Sequence, residues 1–366
     1  MHICVNKMSA LGLLRWLRTE GSDLNWEICG IPDANPWPQK RWSARMIPYH
    51  QLGRSGPPDR TSPVDVIVSE TGTEPRASFF SVRTYKGHLP LGSFLRVTSE
   101  FTIPCPELLF LELAGIMDRA ALELVGYELC GTYSRGPSSP RTAGVTHGLK
   151  PLTSVSNIRS YLDKCYGQRG LNAARAALEN VRDNAWSAME AIVSLFLVRD
   201  VGDLGYGIKG ITLNEREGFA QELRRNSSAS GRIPDISVDD LPIGFNYDGY
   251  GHLDLGSIDV SSLSEEELKG KLTAVREKYV DDLRRNRELL AQGRIVLPVV
   301  AEDLIQRGGL DSAVLEAVLA AERFLGSSGK IGVQVRRALA SESAAKRQQL
   351  IWSLYPWLGG TSLGAY

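Results

Sequence analysis

Asp235 and Asp248 are the side chains whose setting in this sequence best suits them for chemistry. They lie in Arg232-Ile233-Pro234-Asp235 and in the later run Asn246-Tyr247-Asp248-Gly249-Tyr250-Gly251-His252, on what read as adjacent strands. A third carboxylate, Glu190, stands upstream on a predicted helix, and an Asp/Arg-rich helix follows. Alternate residues of a strand share a face. Asn246 and Asp248 therefore point the same way, and a neighbouring strand can set Asp235 beside them. Oxygen ligands converging from two strands and a helix suit Mg2+ (or Mn2+), which polarises a phosphate and lowers the pKa of a bound water. His252 would act as general base or orient that water, because imidazole titrates near neutrality. Each residue also has a plainer reading. Ser187-Ala188-Met189-Glu190 is a capping box, Asp248-Gly249 is a turn dipeptide, and Asp235 reads as a solvated carboxylate at a strand end.

The elements that must position these residues are legible from periodicity and punctuation. Around the acids the pattern is a helix opening at Ser187 and running to Val198, then strands at 208–213, 233–238 and 243–248. A polar loop is expected at 214–231. A long charged helix spans 264–292, capped by Ser264-x-x-Glu267 and stopped by Gly293, and a strand follows at 294–300. Three helices near 311–324, 333–339 and 341–354 end the chain. Upstream, residues 8–19 have helical spacing with Ser9 as the expected N-cap. Strands are expected at 64–69, 79–83, 94–97 and 101–103. A helix opens at Pro106, continues through 120–133 with a kink at Gly126, and is followed by helices at 154–166 and 170–182. The fold class is thus α/β in the broad α+β sense. A mixed sheet flanked by helices occupies 185–305, a separate α+β region 1–150, a helical connector 151–184, and a helical extension 306–366.

Composition sets bounds rather than a function. The 366 residues are 43% hydrophobic and 23% charged, with 42 basic and 42 acidic residues, so net charge does not announce a nucleic-acid partner. The five cysteines are scattered without C-x-x-C spacing, which argues against a disulfide framework or zinc ribbon and suits a reducing cytoplasm. No apolar run approaches the length of a membrane span. The stretch 29–63 interleaves Lys40, Arg41, Arg45, Arg54 and Arg60 with Trp37, Trp42 and Tyr49. It reads as a nucleic-acid contact or, more simply, as a solvated loop pinned by a few aromatics.

Residues 185–305 resemble the PD-(D/E)XK nuclease superfamily, within it the branch around the very-short-patch-repair endonucleases. That branch opens a helix with Ser-x-x-Glu, here Ser187 to Glu190. A glycine-rich strand leads to an Asn, here Gly205-Tyr206-Gly207 and then Leu213-Asn214. An Arg-x-x-Asp strand is matched by Arg232 to Asp235, and Glu-x-Asp-Gly-x-x-His by Asn246 to His252. A helix with Asp282, Arg285 and Leu289, stopped at Gly293, precedes a closing strand at 295–300. Two departures stand out: Asn246 replaces the usual Glu, and the superfamily's usual Lys is absent. The resemblance implies a metal-dependent endonuclease hydrolysing DNA phosphodiester bonds. Glu190, Asp235 and Asp248 would hold Mg2+ or Mn2+ and serve catalysis with His252. Arg232, Arg284 and Arg285 would contact substrate phosphates, or else partner the carboxylates internally. The alternative is a catalytically impaired nuclease-fold protein that binds DNA or a partner protein, as an antitoxin or regulator in a defence or mobile-element module. A purely structural interaction protein is a third class. The N-terminal half is distantly similar in layout to AbiE-type abortive-infection antitoxins, through Ser9-Ala10-Leu11, Arg15, the strand at 64–68 and Pro104-x-Pro106-Glu107-Leu108.

Overall fold

The structure is a computed structural model, and it describes residues 3–21, 26–30, 42–69, 75, 77–85, 88–137, 144–227, 229–248 and 264–355. Helices and sheets mix in both halves, as the sequence implies, and the contacts divide the chain into two units at Ala188–Met189.

The first unit runs β1 (Ile3–Cys4), α1 (Lys7–Thr19), β2 (Glu27–Cys29), β3 (Val64–Val68), β4 (Phe80–Thr84), β5 (Phe94–Arg96), β6 (Phe101–Pro104), α2 (Pro106–Leu113), α3 (Arg119–Cys130), β7 (Ser134–Arg135), β8 (Val145–Thr146), α4 (Val155–Lys164) and α5 (Leu171–Leu178). One sheet has the order β1-β6-β5-β2, and β3 pairs in parallel with β4. Helix α1 begins after Asn6, not after Ser9. Ser9 sits inside the first turn, and its Oγ accepts the Asp65 N–H at 3.0 Å. Helix α2 stops at Leu113, and α3 starts afresh with Asp118 accepting from the Ala121 N–H. It runs unbroken through Gly126. Glycine is needed there for packing rather than for a kink, since a Cβ would lie 2.6 Å from Val181 Cγ2. Helices α4 and α5, the segment read as a connector, pack on α2 and α3. In the basic stretch, Arg54 donates to the Pro63 carbonyl and Ser62 Oγ, and Trp42 packs edge-on against Phe80. Trp37, Lys40 and Arg41 lie outside the described residues.

The second unit runs α6 (Ala188–Val198), β9 (Ile211–Leu213), β10 (Glu217–Gly218), α7 (Gln221–Asn226), β11 (Gly231–Arg232), β12 (Ile236–Val238), β13 (Ile243–Asp248), α8 (Glu265–Ala291), β14 (Ile295–Val300), α9 (Ala301–Ile305), α10 (Gly309–Leu325), α11 (Gly329–Ala338) and α12 (Ser341–Leu354). Its sheet has the order β14-β13-β12-β9. Strand β12 pairs antiparallel with β9 on one side and β13 on the other, and β14 joins β13 in parallel after the α8 crossover. A parallel neighbour requires such a crossover. Helix α6 is apolar almost all round and correspondingly central. Ala191, Ile192, Val193, Leu195, Phe196, Leu197 and Val198 are all fully buried. Helix α10 packs on β14 and β13, and α8 on β14 and β11. The expected capping box at the start of α8 is present, with Ser264 Oγ accepting the Glu267 N–H and Glu267 accepting the Ser264 N–H. Gly293 follows the helix at φ +80°, a conformation glycine adopts freely. The stretch 214–231, expected as loop, contains the β10–β11 hairpin and α7. Both are too short and too polar to leave an apolar period.

The five cysteines are free. Among the described residues no helix is long and apolar enough to cross a membrane.

Candidate functional site

Three adjacent strands of the second unit set Asn214, Asp235 and Asn246 in one row. The register pairs Ile236 with Phe245 on one side and with Leu213 on the other, so the residue before β12 stands between Asn246 and Asn214. Asp235 and Asn246 clasp each other. The Asp235 N–H donates to Asn246 Oδ1 at 3.1 Å, and the Tyr247 N–H donates to Asp235 Oδ2 at 2.6 Å. These side-chain bonds extend the β12–β13 ladder by one step. On the other flank the Asn214 N–H donates to the Asp235 carbonyl at 3.0 Å. Asn214 is left-handed, φ 52°, a conformation Asn tolerates better than most residues.

Two helices reach this row. Glu190, in the first turn of α6, is buried and accepts from Asn214 Nδ2 at 2.9 Å. From α8, Arg285 lies 3.5 Å from Asp248 and 3.3 Å from Asp282. From the next residue of the helix, Asn286 Oδ1 accepts from Asn246 Nδ2 at 3.4 Å. Asp282, Arg285, Asn286 and Leu289 recur at i, i+3, i+4 and i+7, the spacing of one helical face. That spacing is the signal by which Asn286, which the motif comparison passes over, is found.

Electrostatics single out Asp235. Burial pushes its carboxyl up to about 7, and Glu190 adds to the push. The Tyr247 N–H and the Arg285 guanidinium pull it back, and Asp248 raises it again. A carboxyl titrating near neutrality can accept or release a proton under physiological conditions, and crowding by like charge is a recurrent mark of functional sites. Among the described residues no three His, Cys, Asp or Glu side chains converge closely enough to share one ion. Glu190 and Asp248 thus surround Asp235 without closing a cage. Mg2+ is commonly held by one or two carboxylates and keeps several waters, and Asp235 with one neighbouring acid is the set that would have to meet that requirement.

The other expected site residues fall elsewhere. Arg232 is committed to α8, with Nε 2.6 Å from Glu288 and Nη2 2.9 Å from Asp281. It fastens β11 to that helix, and Ser227 Oγ donates to the same Glu288 at 2.7 Å. Arg284 is exposed. His252 lies outside the described residues. No family model, curated protein or solved structure gave a match to this chain.

Proposed function

We propose that the second unit is a nuclease-fold domain that hydrolyses DNA phosphodiester bonds with the help of Mg2+ or Mn2+. The observation that carries this reading is the setting of Asp235. It is half-buried at the start of β12, between β9 and β13, with the acids Glu190 and Asp248 both raising its pKa. The order α6, β9, β12, β13, α8, β14, with β10, α7 and β11 inserted after β9, is compatible with the element order that the nuclease resemblance implies. A divalent cation bound there would polarise the phosphate and favour hydroxide over water. Asp235 would hold it, with Glu190 or Asp248 as the second carboxylate. Asn214 fixes Glu190, the Tyr247 N–H fixes Asp235, and Arg285 restrains Asp248, so the acids are pre-oriented. His252 and Arg284 remain the candidates for positioning water and for contacting phosphate.

A second reading is favoured by Asn246. Its Oδ1 accepts from the Asp235 N–H and its Nδ2 donates to Asn286, so it is occupied as a structural clasp. A neutral amide there supports a catalytically impaired protein that binds DNA or a partner as an antitoxin or regulator. Plasmid nicking with Mg2+ or Mn2+, comparing wild type, Asp235→Ala and Asn246→Glu, separates the two. The hydrolase reading expects cleavage by wild type and none by Asp235→Ala. Cleavage only after Asn246→Glu would overturn it in favour of the binding protein.

A further inference from the structure

Helix α8 carries a second surface, in the half remote from Asp282 and Arg285. Leu268, Leu272, Val275 and Tyr279 follow one another at spacings of four, three and four, the a/d rhythm of a coiled-coil seam. Leu272 is 47% and Tyr279 51% exposed, and Leu268 and Val275 are half-buried. In that frame Lys269 and Arg276 take the e positions, and Lys271 and Lys278 the g positions. All four are exposed. The seam is therefore apolar and bordered on both sides by cations.

We infer that the first half of α8 is a docking surface for an acidic amphipathic helix of a partner protein. Charge complementarity decides the occupant, because e and g residues set partner choice in such pairs. A second copy of this chain is disfavoured in either orientation. A parallel copy would set Lys271 against Arg276, and an antiparallel copy would set lysines and arginines against each other along both edges. An anionic membrane is disfavoured as well. Glu265, Glu266, Glu267 and Glu277 balance the four cations, so this segment lacks the excess positive charge that draws an amphipathic helix to lipid. The segment also gains from a partner. Gly270 sits in its midst, with nothing among the described residues within 4 Å of where a Cβ would be. A glycine there costs about 1 kcal/mol of helix stability.

The test is fluorescence anisotropy of the full chain with two labelled synthetic helical peptides. Both carry leucine at a and d; one has glutamate and the other lysine at every e and g. The glutamate peptide is expected to bind about tenfold or more tightly than the lysine peptide. Leu272→Ser with Tyr279→Ser should abolish that binding with the fold retained by circular dichroism. Lys269→Glu, Lys271→Glu, Arg276→Glu and Lys278→Glu together should invert the preference, a gain that misfolding cannot mimic. Equal or absent binding of the two peptides, or no inversion, overturns the inference. So does a wild-type dimer in sedimentation, or binding to phosphatidylserine vesicles, that the double serine variant loses.

Discussion

Glu128, buried in the first unit, and Asp235, half-buried in the second, are carboxylates treated oppositely. In the first unit Glu128 is held by Arg15, whose Nη2 approaches to 2.6 Å and whose Nε donates to both carboxylate oxygens. Ser134 Oγ and the Arg135 N–H donate to it as well. Burial pushes the Glu128 carboxyl up, but the charge and hydrogen bonds of Arg15 and the charge of Arg135 outweigh it and hold the group below its ordinary range. In the second unit Asp235 has one backbone N–H and a more distant arginine set against two acids, and it is pushed up to about 7. The first arrangement is complete without a ligand. The second improves if a proton or a cation arrives. On the proposed function, the contrast separates a carboxylate buried for structure from one held for chemistry.

The sharpest way to break this comparison is to remove the compensation in the first unit. Arg15→Ala leaves Glu128 buried without its main partner and should cost about 3–5 kcal/mol in urea unfolding. A loss within experimental error would show that water reaches Glu128. The converse change is Asp235→Asn, which keeps an oxygen for the Tyr247 N–H and removes the crowded charge. Asp235 moves from an ordinary 3.8 to about 7 on folding, and each unit is worth about 1.4 kcal/mol, so the relief at alkaline pH has a ceiling of roughly 4 kcal/mol.

The contributions of these two carboxylates to stability therefore respond to pH with opposite signs. Between about 4 and about 7 the unfolded chain has lost the Asp235 proton and the folded chain keeps it, so this contribution to stability falls as pH rises. Glu128 is depressed, so its contribution is present above its ordinary 4.5 and is lost as pH falls through the folded value. Hydrogen exchange should show the amides around Glu128 loosened by acid and those around Asp235 tightened from neutral to mildly acidic pH. Asp235→Asn should flatten only the profile around Asp235.

Smaller changes sharpen the same contrast. Arg285→Ala removes a group that lowers the Asp235 pKa. It should move the Asp235 titration upward by NMR and cost about 1 kcal/mol, since the guanidinium is partly solvated. Ser264→Ala, far from either carboxylate, should lose about 1 kcal/mol of α8 stability by removing the cap and leave both titrations in place.

What the sequence made legible follows the strength of its signals. Helix α8 was readable at both ends because Ser264, Glu267 and Gly293 have local reasons to be there. Strand β13 matches its expected bounds, and Asp235 lies beside Asn246 as strand alternation allowed. The start of α1 was not readable. Asn6 and Ser9 are both good capping residues, and the choice depends on Asp65, a partner distant in sequence. Gly126 misled for the same reason, because Val181, which forbids a side chain there, comes from another segment. The role of Arg232 was equally hidden. Its partners Asp281 and Glu288 become neighbours only when α8 folds back on β11. The pairing of Asn246 with Asn286 likewise requires the helix to be docked.

The proposed divalent-cation site around Asp235 is tested most directly by measuring free Mn2+ by electron paramagnetic resonance during titration of the protein. Mn2+ should bind wild type at about pH 8 and weaken as pH falls through about 7, where Asp235 takes up its proton, because metal and proton compete for the carboxylate. Asp235→Asn should lose the binding at every pH. Absence of Mn2+ binding by wild type at about pH 8, or equally tight binding by Asp235→Asn, would contradict the account.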